Sequence, residues 1–221
     1  MKKLLVSSLF SASTLVAAQS AVAMDNVGLA LNYGLISGPA LELTYPINDM
    51  LQVRGALSSG MGLSETANDT DIAYDVKADG GINRLSMDYH PFSSTFFMSA
   101  GYAFNDFKLK ANGSGTATTI VGDTPISGNV NISGALEWDS APMLSLGWGH
   151  SPSKGWGAMV EMGAIFTGAP DVSLSGTVTG AGASSQDVLN TALREEETKL
   201  KNDVGDFDFL PILQAGVTYR F

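Results

Sequence analysis

The chain has 221 residues and no cysteine; 44% of it is hydrophobic and only 15% is charged. Without cysteine there is no disulfide framework, no thiolate chemistry and no cysteine metal site. A net charge of −10 leaves no basic patch to neutralise phosphates, which excludes nucleic acid as a partner.

The first element is a targeting segment. Lys2 and Lys3 form a positive start, Leu4 to Ala18 is apolar and small, and Ala21-Val22-Ala23 fits the small-x-small rule for cleavage. Residues 1–23 are therefore expected to be removed as a signal peptide, leaving 24–221 as one exported domain. No internal stretch reaches the ~18 consecutive apolar residues of a spanning helix.

Apolar residues alternate instead. Val27, Leu29, Leu31, Tyr33 and Leu35 are followed by Leu41, Leu43 and Tyr45, then by Leu51, Val53 and Leu57, with small or polar residues between them. A period of two marks strands with one apolar face. Ser37-Gly38-Pro39 and Asn48-Asp49 interrupt it with turn chemistry. The alternation returns at Leu85–Tyr89, Phe96–Phe104, Leu136–Trp138, Leu144–Trp148, Trp156–Phe166 and Phe207–Phe221.

These runs make about eight strands of roughly 8–15 residues, long enough to cross a bilayer when tilted. Tight connections lie near Asn48-Asp49, Pro91–Ser94 and Ser151–Gly155; long ones are Gly60–Gly81, Ala111–Ser133 and Gly168–Gly205. Short turns at one end and long loops at the other predict an all-β, transmembrane antiparallel β-barrel. Tyr45, Tyr89, Trp148, Trp156, Tyr219 and Phe221 flank the short-turn end as a girdle at the membrane interface.

The other face is small or polar. Glu42, Arg54, Arg84 and Glu161 fall at mid-depth, with Asp88 and Arg220 nearer the short turns. An eight-stranded barrel is just wide enough to be filled by side chains, and buried charges must pair. Arg54 is expected to meet Glu42 across the Asn48-Asp49 turn, and Arg84 and Glu161 to join the same layer. The network is read either as a plug or as the filling of a gated, narrow channel.

Chemistry beyond that is sparse. His90 precedes Pro91, and His150 precedes Ser151 and Pro152, so both histidines fall at short turns. No nucleophile, base and orienting group share one place, so no catalytic residue and no enzyme activity is expected. No His/Asp spacing supports a metal site, and no cofactor is implied. Asp69, Asp71, Asp75 and Asp79 crowd one loop without the EF-hand pattern, which leaves a solvated loop or weak divalent-cation binding. Ala111–Ser133 reads as a mobile segment or thin hairpin, and Asp171–Thr179 as a strand extended above the membrane. Leu189, Leu193, Leu200 and Val204 form a helical stripe over 187–204. That amphipathic helix in the last loop either caps the barrel mouth or contacts a partner or lipid.

The chain ends "QAGVTYRF", with Gln214 polar, Gly216 small, and Tyr219 and Phe221 aromatic. This resembles the C-terminal β-signal of Gram-negative outer membrane proteins. The mature chain, by strand count, loop pattern and Pro211 in the final strand, resembles the small eight-stranded barrels of the OmpA and OmpW type. The resemblance implies a place in the outer membrane, insertion by the outer membrane assembly machinery, and contact with membrane lipids and lipopolysaccharide. The function it implies is a narrow permeability or transport barrel for small or hydrophobic solutes. The alternative is a structural or surface-interaction barrel that contacts lipopolysaccharide, cations or cells through acidic loops.

Overall fold

Alternating apolar residues become paired strands. The computed structural model describes residues 26–67, 73–115, 118–121, 124–150, 154–180 and 185–221. The signal segment, Asp69, Asp71, Ser151 and Pro152 lie outside the described residues. In chain order the elements are β1 (Gly28–Gly34), β2 (Gly38–Pro46), β3 (Leu51–Ser58), β4 (Leu63–Ala67), β5 (Ala73–Asp79), β6 (Ile82–Tyr89), β7 (Phe96–Asn105) and β8 (Lys108–Gly115). They continue with β9 (Thr118–Val121), β10 (Thr124–Ser127), β11 (Asn129–Glu137), β12 (Ala141–Trp148), β13 (Gly155–Ile165), β14 (Asp171–Thr179), α1 (Ser185–Asp203) and β15 (Leu210–Arg220).

Eight of the strands close on themselves in the order β1-β15-β13-β12-β7-β6-β3-β2. The last strand seals the wall: Arg220 stands opposite Gly28 of β1 on one side and Gly155 of β13 on the other. Closure matters because an open edge in lipid would leave unsatisfied amides at several kcal/mol each. The outward residues form an apolar belt, with Leu57 68% and Leu31 61% exposed. Such a surface is stable against hydrocarbon and costly against water.

A second tier stands on the barrel. Strands β14-β11-β8-β5-β4 pair as a five-stranded sheet, each lying above the barrel strand that it precedes or follows in the chain. Among the described residues β1, β2 and β15 lack this extension: the β1–β2 hairpin turns at Leu35–Ser37, and α1 precedes β15. This corrects the reading of Gly60–Gly81 as an acidic loop, since β4 and β5 occupy much of it. It also corrects the mobile reading of Ala111–Ser133, where β8 pairs β11 from Val130↔Gly115 downward. Asp171–Thr179 is a strand, as its period predicts.

Helix α1 belongs to this tier. Its Leu189, Ala192 and Leu193 are buried against Val121, Ile126 and Val130, with Ile132, Leu174 and Val178 beside them. Gly176 permits this approach: a Cβ there would lie 3.0 Å from Leu193 Cδ1. The helix docks on β14 and the β9–β10 hairpin rather than forming the layer that shuts the barrel. Leu136 and Trp138 also differ from expectation. A break at Asp139-Ser140 separates β11 from β12, and Trp138 packs on Phe107 at the barrel mouth instead of facing lipid.

Candidate functional site

The inward residues of the barrel build two stacked layers. The lower layer is ionic and centres on Arg54 of β3, which is 2% exposed. Its Nη1 and Nη2 donate to Glu161 Oε2 and Oε1 at 2.6 and 3.0 Å. The same fork reaches Asp88 Oδ1 at 3.0 Å, Glu42 Oε2 at 3.3 Å and Ser99 Oγ at 3.2 Å. Arg84 Nη2 donates to Glu42 Oε1 at 2.7 Å and to Gln214 Oε1 at 2.6 Å. Gln214 Nε2 donates back to Glu161 at 2.5 Å and Glu42 at 3.1 Å. Ser145 Oγ gives Glu161 another donor. Desolvating such charges costs several kcal/mol each, so the multiple charge-assisted bonds per carboxylate are what make the layer tenable.

These contacts bring Glu42, Arg54, Arg84 and Glu161 together in one layer. Asp88 sits deeper than expected, in the same cluster. Arg220 departs from the expectation: it donates to Gln52 Oε1 at 2.6 Å and to the Asn26 carbonyl at 2.8 Å, with no carboxylate in ion-pair range among the described residues. The histidines are not merely turn residues. His150 is buried with Nε2 3.1 Å from Glu42 Oε2, and His90 Nε2 lies 3.1 Å from Gln52 Nε2. Phe97 stands between the two rings and 5.1 Å from the Arg54 guanidinium carbon. Gly147 makes this possible, since a Cβ there would strike the Phe97 ring.

The upper layer is apolar. Ile82, Ala103, Met143, Ile165, Leu210 and Ile212 are buried together with Phe107 where the barrel meets the second tier. This corrects the picture of an entirely small or polar lumen face. Ile82, Met143, Ile165 and Ile212 sit on the inward parity and look like breaks in the polar pattern. Gln52, Ser99 and Ser145 fall on the small or polar face by sequence but were not assigned to the charge network; Phe97 was missed, and its parity with Ser99 was the available signal.

Other predicted positions are placed as follows. Tyr45, Tyr89, Trp148 and Trp156 are exposed on the outside near the short turns. Tyr219 lies edge-on to Trp156 and Phe221, with ring centroids 5.0 Å apart in each case. Gly216 is where β15 presses on β1, and a Cβ there would meet the Asn32 side chain and the Leu31 carbonyl. Asp75 accepts from Thr66 Oγ1, and Asp79 lies 3.6 Å from Lys110 Nζ on the outer face of the second tier. Among the described residues no three acid or histidine side chains gather as a metal site would need.

A closed eight-stranded antiparallel barrel with an apolar belt and a filled lumen defines a transmembrane β-barrel of the outer membrane type. The fold is shared with crystal structures of two Acinetobacter baumannii proteins. CarO is 23% identical over 89% of this chain and 98% of its own, with a TM-score of 0.59. CarO2 is 22% identical over 89% of this chain and 99% of its own, with a TM-score of 0.60. At these identities the likeness is one of fold. No family model matches the chain, and no curated protein sequence does.

Proposed function

We propose that this protein is an outer membrane barrel, exported by a cleaved leader, whose lumen is shut at rest and whose outward tier is a contact surface. The observation that carries this is the stacking of two layers, the Arg54 cluster and the Ile82–Met143–Ile165–Ile212 cluster, across a lumen only eight strands round. The second tier adds an ordered sheet and a docked helix with a separate core, more structure than a barrel needs for closure. Its outer face mixes Asp75, Asp79, Glu137 and Asp171 with Lys77, Lys108 and Lys110. Lipopolysaccharide headgroups, bridged by divalent cations where acids face them, are partners of matching chemistry.

A second reading, a narrow permeability barrel for small or hydrophobic solutes, is favoured by the charge of the lower layer. Apolar filling would close a lumen at least as stably as ion pairs do. Recording from the refolded protein in planar bilayers at rising voltage separates the two. A silent membrane supports the shut barrel; discrete openings of the wild type support passage and overturn it.

A further inference from the structure

The short-turn end of the lumen contains a crevice that meets the ionic layer at His150. It has a volume of about 70 Å³, and Gly28, Thr44, His150, Lys154, Thr218 and Arg220 are among its walls. Liquid water takes up about 30 Å³ per molecule, so the space suits two waters or one small polar group. Among the described residues no acid lines it.

We propose that this crevice binds a single oxyanion group, a carboxylate or a phosphate. Arg220 is 4% exposed, and the acceptors it reaches, the Gln52 amide and the Asn26 carbonyl, are neutral. A guanidinium has five donors in a planar fork suited to two oxygens of one anion. A buried charge without a counter-ion is costly, and an anion in the crevice would supply one. Thr44 Oγ1 is buried and has no hydrogen-bond partner among the described residues. Gly28 brings the two together: a Cβ there would run into Thr44 Oγ1 and come within 3.6 Å of Arg220 Nη2. Thr44 Oγ1 thus fills the space that a side chain at position 28 would need, with Arg220 Nη2 beside it, so hydroxyl and guanidinium line the same corner of the crevice. Gly157 keeps the opposite wall clear, since a Cβ there would lie 2.7 Å from Thr218 Oγ1.

The space holds the charged group alone, so the rest of any ligand must lie outside it. Two sources fit. One is a free anion in the aqueous phase at the short turns, on the side away from the second tier. The other is the phosphate of a membrane lipid, because Trp156 and Tyr219 place the crevice at the interface.

The test uses the full mature chain refolded in a neutral detergent, with the heat-dependent gel shift confirming closure. Inorganic phosphate and acetate are titrated at constant ionic strength, followed by Trp fluorescence and by phosphorus NMR line width. Saturable binding is expected. Arg220→Gln and Thr44→Val should each weaken it, the first by about tenfold or more. Gly157→Ala should weaken it without altering any charge, which guards the test if Arg220→Gln does not fold. Vesicles of phosphatidylglycerol that displace phosphate, in comparison with detergent alone, assign the site to lipid; undisturbed phosphate binding assigns it to the free anion. A non-saturable response, or equal binding by wild type and Gly157→Ala, overturns the site.

Discussion

Arg54 and Glu161 join opposite walls of the barrel. β3 and β13 are four strands apart in a ring of eight, and the two side chains meet at 2.6 and 3.0 Å. The bond is therefore a strut across the diameter rather than a clasp between neighbours. Its other partners, Asp88 and Glu42, tie in β6 and β2.

Removing the strut should cost stability. Arg54→Ala leaves three buried carboxylates with fewer donors, and breaking a buried pair costs about 3–5 kcal/mol. Glu161→Gln in the Arg54→Ala background should cost less than the two single losses summed, because partners in one network couple. Urea unfolding in detergent micelles reads both. Equal midpoints for wild type and Arg54→Ala would show that the cluster is merely solvated.

Opening the lumen should take more than one layer. Arg54→Ala enlarges the lower layer only, while Met143 and Ile165 still close the upper one. Bilayers holding Arg54→Ala should stay silent, as should those holding Met143→Ala with Ile165→Ala. The triple variant should show small, noisy conductance. Full conductance from Arg54→Ala alone would mean that the upper layer is no barrier.

The second tier should loosen independently of the barrel. Leu193 is buried on the sheet-facing side of α1, and Leu→Ala at such sites costs about 2–5 kcal/mol. Gly176→Val should act similarly by pushing Leu189 and Leu193 off β14. Limited proteolysis should then cut near α1 while the heat-dependent gel shift persists. Loss of both together would make the tier and the barrel one cooperative unit.

What the sequence shows and hides follows from where periodicity survives. Lipid imposes an apolar residue at every outward position, so Leu41, Leu43 and Tyr45 read unambiguously, and the barrel follows from them. The lumen is read only by subtraction. Glu42 and Arg54 stand out because charge there is rare, whereas Met143 and Ile165 do not, because an apolar residue facing inward breaks no rule except parity. The second tier hid because water bathes its outer face. Thr66, Asp75, Asn112, Ser133 and Ser175 lie in one row across five strands, yet in sequence each looks like loop chemistry. Trp138 was misplaced because its parity with Leu144 is real in the sequence and is lost at Asp139-Ser140. His150 was read from its neighbours, Ser151 and Pro152, when its position relative to Glu42 depends on closure of the whole ring.

The last prediction concerns Phe221, whose contribution in the closed barrel is small. Its amide donates to the Val27 carbonyl at 3.1 Å and its carbonyl accepts from Asn26 at 3.2 Å, both through the backbone. The ring sits at the surface against Tyr219. An aromatic pair of this kind contributes about 0.5–1.5 kcal/mol, and a charge near the interface costs about 0–1 kcal/mol. Phe221→Asp should thus shift the unfolding midpoint of a finished barrel only slightly. If the final strand also serves as the assembly signal, the same variant should sharply reduce the folded amount in the outer membrane of cells. Gly216→Val is the contrast. Its side chain would force β15 from Asn32 and the Leu31 carbonyl, so it should lower both the midpoint and refolding in detergent. Phe221→Asp should refold in detergent as the wild type does. Normal amounts of folded Phe221→Asp in cells would remove the assembly role, and a midpoint lowered as far as that of Gly216→Val would make Phe221 a structural residue instead.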